Sequence, residues 1–455
     1  MLLTRDAQAN VSEAVLAKQS AQLVFEQIPS DVVDTAVDCF IDTLGASIAS
    51  GSEGVVHIAE QITGDAGICS RLSDGAEVSA RSAALANGIS AHVLDFDDWL
   101  AASGVHPSAP LLPAVLAAAQ ARGPFTLGSH ALLTAFVAGF ESQARIGAAM
   151  APQHYASGFH PTATVGVFGA ATGVSRLLCA DENGIQRAWG LSAAQAAGLR
   201  AEFGTMGKSF QVGRAAEAGL LFAQFAAAGA TAPMDAIFGP RGLAATYGHG
   251  ADIDTATVPF DQRWYLRETL FKRHAACFGT HAAVDVLLSL RDELAVDQVS
   301  EIELTVPELV RTVCAIPTPT TPLEGKFSLA FTAALALVRG SCGINDFSVE
   351  SVNDPELAMM TQRVRLVYDE TLRPQQTHVR VVLHGGDVLS RSADSSVPAL
   401  PEERRAHVRE KFQALVTPVL GVEGASMLLG AVQGLQVGND LSDLFRALKA
   451  KRAIE

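Results

Sequence analysis

Residues 30–50 read SDVVDTAVDCFIDTLGASIAS, and this stretch sets the fold class. Its apolar residues Val33, Ala36, Val37, Phe40, Leu44 and Ile48 recur at helical spacing. Ser30 reads as an N-cap, with Asp31 and Asp34 close behind it in the first turns. The same style continues on either side. Pro113–Arg122 is Ala-rich, carries a proline in its first turn and stops at Gly123-Pro124. Ser129–Met150, Thr164–Leu178 and Arg214–Ala228 are further apolar helices, separated by the Gly/Pro/His loops SGVHPSAP, SGFHPTAT and FGPRG. After about Phe260 the pattern changes. Val299–Val306, Arg363–Tyr368 and Thr377–Leu383 alternate as half-buried strands do, and His384–Asp387 reads as a hairpin turn with Val388–Ser392 returning. Helices near His281–Leu294 and Ser328–Val338 lie between the strands, and Pro401–Leu448 returns to helix. The expected fold is mainly α. A large all-helical domain is built from both chain ends (1–266 and 401–455), with a smaller α+β domain at 267–400.

Composition limits the function. The chain has 455 residues, 49% hydrophobic and 18% charged, which excludes a disordered or coiled-coil chain. A net charge of −15 argues against nucleic acid or an anionic membrane as partner. The six cysteines are scattered without a C-x-x-C, so the expected compartment is a reducing cytoplasm. MLLTRDAQANVSEAV shows no basic-then-apolar leader, and apolar runs such as Ala131–Phe140 are too short to span a bilayer.

Four segments carry chemistry. HVLDFDDWLAASGVH (92–106) holds Asp95, Asp97, Asp98, His92 and His106 within one helix end and loop; it reads as a proton-transfer or anion site, or as a solvated helix cap. Two loops repeat the order Gly-x-His-Pro, at His106-Pro107 and His160-Pro161, and place each imidazole before a helix N-terminus, where the dipole favours anions. EFGTMGKSFQVGR (202–214) sets Lys208 in a Gly-bordered loop that lacks the P-loop spacing. LFKRHAACFGTHAAVD (270–285) gathers Lys272, Arg273, His274, Cys277 and His281. Its spacing fits no standard zinc site, and a cationic wall at a domain boundary is the better reading.

Together, NGISAHVLDFDD, GVHPSAPLLPAVLAAAQ, GFHPTATVGVFGAA, GTMGKSFQVGRAAEAGLLFAQFAAAGATAP, FKRHAACFGTH and GKFSLAFTAALAL resemble the MmgE/PrpD family, in the family's order over nearly the whole chain. The resemblance implies that 267–400 is a lid, that the chain forms a homodimer and that it works without metal or cofactor. It also implies a site built from Asp95, His106, His160, Lys208 and Lys272. Three departures bear on activity. Trp99 stands where dehydratases and decarboxylases carry Thr, V-H-P-S-A-P replaces G-H-P-S-D-N, and Cys277 replaces the decarboxylases' lid histidine. By elimination these point to the family's iminodisuccinate epimerase branch.

The expected function is therefore epimerisation of a small amino-polycarboxylate by proton transfer at the carbon α to a carboxylate. His160 and Lys208 would be the acid–base pair, tuned by His106 and Asp95, and Lys272 would bind a remote carboxylate. Trp99, Cys277 and Tyr155 would complete the substrate pocket, with Tyr155 as a reserve acid. The alternatives are a lyase of the 2-methylcitrate dehydratase or cis-aconitate decarboxylase type, a metal-dependent lyase, and a non-catalytic carboxylate-binding helical protein.

Overall fold

The computed structural model describes residues 5–248 and 250–450, with side chains from residue 12 onward. The extreme ends of the expected helical domain, 1–4 and 451–455, and the first residues of the segment read for a leader lie outside the described residues. The protein is mainly helical, with one small mixed sheet.

The 30–50 stretch forms the helix Ser30–Ala49, with Pro29 and not Ser30 at the N-cap. Pro29 takes the extended conformation that its ring favours, and no side chain caps the helix. Val32, Ala36, Phe40 and Leu44 are fully buried. Part of their cover comes from the other end of the chain. Helix Pro401–Gln433 lies against this helix, with Phe412 3.3 Å from where a Cβ on Gly45 would be. Arg404 Nε reaches Asp38 Oδ2 at 2.8 Å, and Lys411 Nζ reaches Asp42 Oδ1 at 2.8 Å.

Two helices begin before their sequence signals and one after. Ser108–Arg122 contains Pro113 in its interior, Gly207–Ala227 begins seven residues before Arg214, and Gly166–Leu177 starts two residues after Thr164; of these, the helix at 207 matters most for the site. That helix corrects the placement of Lys208, which sits in the first turn of a helix and not in a loop. Helix 207–227 crosses helix Ala80–Val93 at a glycine pair: a Cβ on Gly88 would lie 2.8 Å from Gly213 Cα.

A short antiparallel pair, β1 (Ala66–Ser70) and β2 (Glu77–Val78), has no counterpart in the sequence reading. The main sheet consists of β3 (Val299–Pro307), β4 (Val364–Asp369), β5 (Gln376–Leu383) and β6 (Val388–Asp394), in the order β4-β3-β5-β6. β5 and β6 form the expected hairpin, and β4 joins β3 in parallel. Ile302, Leu304 and Val306 on β3 are buried, as their alternation requires.

Ala131–Phe140 is too short to span a bilayer, as expected, but among the described residues one other helix passes the test of length and composition. Pro401–Val437 is long and apolar enough by length and composition, with 33% of its apolar window buried. It is not continuous, because Gly421 (φ 71°, ψ 169°) breaks it in the left-handed half of backbone space.

Candidate active site

The site is built around the segment that follows helix 80–93. His92 occupies the last turn, and Asp95 then adopts φ 51°, which is rare outside glycine and costs about 1–3 kcal/mol. Three buried lysines from distant parts of the chain hold this bend. Lys326 Nζ donates to the Leu94 carbonyl (2.7 Å), Lys272 Nζ to the Asp95 carbonyl (2.8 Å) and Lys411 Nζ to the Phe96 carbonyl. Charge-assisted bonds of this kind are stronger than neutral ones, so three successive carbonyls fix the bend. Trp99 and Leu270 exchange backbone hydrogen bonds (2.8 and 2.9 Å), which carries Lys272 to the site. Leu100 N–H donates to the Val105 carbonyl at 2.9 Å, closing the loop that presents His106.

All eight residues nominated from the sequence line one cavity of about 480 Å³: Asp95, Trp99, His106, Tyr155, His160, Lys208, Lys272 and Cys277. Asp95 Oδ1 lies 2.6 Å from Lys208 Nζ and 3.1 Å from Lys272 Nζ. Burial opposes ionisation of Asp95, but the two ammoniums outweigh it and hold the carboxyl well below its usual range. Each ammonium has three N–H donors. Lys208 places one on Asp95 and one on His92 Nε2 (2.8 Å); Lys272 places its donors on the carbonyl and carboxylate of Asp95. One donor on each lysine remains for a ligand.

The polar partners of the two histidines of the HP loops favour opposite tautomers. Asp97, fully buried, makes a 2.7 Å hydrogen bond to His92 Nδ1 and lies 3.3 Å from His106 Nδ1 through the same oxygen, within ion-pair reach but outside hydrogen-bond geometry. A carboxylate accepts only, so His92 Nδ1 carries its proton, and the charge of Asp97 favours the same arrangement at His106, which leaves its Nε2 bare. His160 is set the other way. Gln211 Oε1 accepts from the Leu199 N–H (2.9 Å), which fixes its amide, and Gln211 Nε2 then donates to His160 Nδ1 (2.7 Å). The proton of neutral His160 is therefore on Nε2. Burial lowers the pKa of both rings, His160 most strongly, while Asp97 partly offsets the effect at His106. Burial takes His92 down to about 4.

Cys277 shares a hydrogen bond with Cys314, which lowers the Cys277 pKa, and both thiols face the cavity. Tyr155 stays a phenol, since burial raises its pKa. The ligand atoms of His92, Asp97 and His106 all lie within 4.8 Å of one another, close enough to share a cation. The trio does not fit one: the nitrogens facing Asp97 are protonated, and the Lys208 ammonium already occupies the outer nitrogen of His92.

Sequence reading gave no role to three residues that organise the site, Gln211, Lys326 and Lys411, and no individual role to His92 and Asp97, which it placed within the 92–106 proton-transfer or anion cluster. His92 and Asp97 lie inside the quoted HVLDFDD phrase, whose acid and histidine spacing was a usable signal. Gln211 is an ordinary helical glutamine, and Lys411 lies more than 300 residues from its carbonyl partner in Phe96.

Residues 14–256 match the MmgE/PrpD N-terminal domain, and residues 274–436 match the MmgE/PrpD C-terminal domain. The chain is 26% identical over 450 residues to the cis-aconitate decarboxylase of Homo sapiens, covering 92% of this chain and 90% of that protein. It is 25% identical over 472 residues to the cis-aconitate decarboxylase-like protein oryM of Aspergillus oryzae, covering 96% and 97%. With the cis-aconitate decarboxylase of Aspergillus terreus it shares 24% over 465 residues, 94% of each chain. The two domain matches together span most of the chain, so the chain belongs to the MmgE/PrpD family.

Proposed function

We propose that this protein is a lyase that works with its own side chains, moving a proton at a carbon beside a carboxylate while carbon dioxide or water departs. The observation that carries the reading is the pair of imidazoles, His106 beside the Asp97 carboxylate and His160 beside the Gln211 amide, facing one cavity that also holds two ammoniums. His106, with its bare Nε2, accepts the proton, and His160, with Nε2–H, delivers one. Lys208 and Lys272 each keep a donor for the substrate carboxylate, where negative charge accumulates as the bond at the adjacent carbon breaks. Preorganised donors of this kind contribute about 3–4 kcal/mol each to the transition state. Asp95 holds both ammoniums in place. In this proposal Lys208 is an electrostatic group, since its Nζ is tied to Asp95 and His92, and the base is His106.

The decarboxylase names of the relatives support a lyase over the epimerase expected from Trp99 and Cys277. The lid role of 267–400 belongs to the same proposal. Lys272 and Lys326 lie in that segment, and their bonds to the Asp95 and Leu94 carbonyls would form as it closes. Incubation with candidate acids in D₂O, followed by NMR, tests the reading. Loss of carbon dioxide with deuterium entering the carbon it leaves, or loss of water with the adjacent proton released and a double bond formed, is the expected result. Deuterium wash-in with inversion and no fragment lost would return the assignment to epimerisation.

A further inference from the structure

We propose that the substrate is an amphipathic acid, with one carboxylate seated on Lys208 and Lys272 and an alkyl or aryl substituent filling the rest of the cavity. This rests on reading the cavity as the reaction site, and it narrows the polycarboxylate expected from the family resemblance to a different chemical class.

The charge count comes first. Among the described residues, the cations lining the cavity are Lys208 and Lys272, and the carboxylates lining it are Asp95 and Glu268. Asp95 already contacts both ammoniums, and Glu268 is paired outside the lining with Arg263 at 2.7 and 2.9 Å. His106 and His160 add no charge at neutral pH, because burial lowers both pKa values. At the lysine end two ammoniums face one carboxylate, an excess of one positive charge within the lining. One substrate carboxylate balances it; a second or third would enter a poorly solvated cavity with no cation to meet it, which is strongly unfavourable.

The apolar part of the lining supplies the second argument. Trp99 and Phe278 stack with ring centroids 4.6 Å apart, and Leu309, Val310 and Val313 face the same space. A cavity of about 480 Å³ falls within the ~300–1,000 Å³ of pockets that enclose drug-sized molecules.

The test is binding to the intact protein by isothermal titration calorimetry at neutral pH, with three non-reacting probes: octanoate, 3-phenylpropanoate and propane-1,2,3-tricarboxylate. Burying a heptyl chain or phenyl ring predicts at least about tenfold tighter binding of the two monoacids than of the triacid. Val313→Arg, which adds a cation to the apolar wall, should reverse that preference. Trp99→Ala should weaken the monoacids about tenfold and leave the triacid unchanged. The preference in the parent protein needs no variant, so a misfolded substitution leaves the test intact. Equal affinities, or tighter binding of the triacid by the parent, would overturn the proposal. Failure of the lyase reading would look different: the monoacids would bind and compete with one another, while 3-hydroxy and 2-unsaturated acids of the same carbon skeletons would lose neither water nor carbon dioxide.

Discussion

His106 and His160 sit in near-identical sequence phrases, yet the fold gives them opposite proton patterns, and the difference comes from one partner each. Asp97 sets His106, and Gln211 sets His160. Asp97→Asn should therefore lower kcat by about 10²–10⁴ with a smaller change in KM, because an amide can present its NH₂ to Nδ1 and turn the ring to the wrong tautomer. Imidazole ¹⁵N NMR should show the proton of His106 moving to Nε2; unchanged tautomers with lost activity would assign Asp97 a purely structural role. The base must be neutral, so activity falls as pH drops through the pKa of His106. Burial lowers that pKa, so the acid limb of kcat/KM should lie below 6.5, which a pH–rate profile reads directly. Asp98 gives a stability test of opposite sign. Burial raises its pKa to about 7, while its carboxylate accepts from the Ser108 backbone N–H and hydroxyl. A raised folded pKa contributes stability below the unfolded value near 3.8, and that contribution is lost as pH rises through about 7. Asp98→Asn should thus gain in melting temperature relative to the parent between pH 6 and pH 8; a constant difference across that range would show that Asp98 does not titrate there.

Element boundaries show where local sequence stops being informative. The apolar period of residues 30–50 is strong enough to identify the helix, and the alternation of 299–306 and 377–383 identifies β3 and β5. The parallel partner of β3 is not readable, because the strand at 364–369 carries no mark of which edge it joins or in which direction. Helix 207–227 is instructive for a different reason. Gly204, Gly207 and Gly213 read as loop residues, yet Gly213 is there because the helix needs to touch its neighbour. A Cβ at that position would lie 2.4 Å from the Leu85 carbonyl oxygen and 2.6 Å from Ile89. Small residues at a helix crossing look like breakers until the partner helix is known. The same crossing positions the site, since helix 207–227 carries both Lys208 and Gln211. Gly213→Ala should lower stability by about 1–3 kcal/mol through overpacking and also reduce kcat, as the helix shifts both side chains. Chemical denaturation with a parallel activity assay checks it; a stability loss with unchanged kcat would mean the site tolerates the shift.

At the scale of the molecule, the chain ends meet around the site. The N-terminal part supplies the 92–98 bend, and the C-terminal helix reaches back to it through Lys411. That helix also leaves apolar surface uncovered. Val422 and Val437 are each 70% exposed and Met427 is 45% exposed, all beyond the break at Gly421. Exposed valines and a methionine clustered on one short segment are unfavourable in water and call for cover. Insertion in a bilayer fits this poorly. The break divides the helix into pieces of about 20 and 12 residues, and the first is anchored to buried Asp38 and Asp42 by Arg404 and Lys411. A second copy of the chain is the cover expected from the family resemblance and from the Ala-rich helices. Light scattering should then give twice the 47.5 kDa chain mass at micromolar concentration without detergent. Val422→Glu should shift the mass toward one chain, since two carboxylates would be buried near a two-fold axis. Its far-ultraviolet circular dichroism should be unchanged, because the residue makes little contact within its own chain. A parent protein of single-chain mass would sink the dimer, and one that floats with lipid vesicles would restore the bilayer as the cover for this surface.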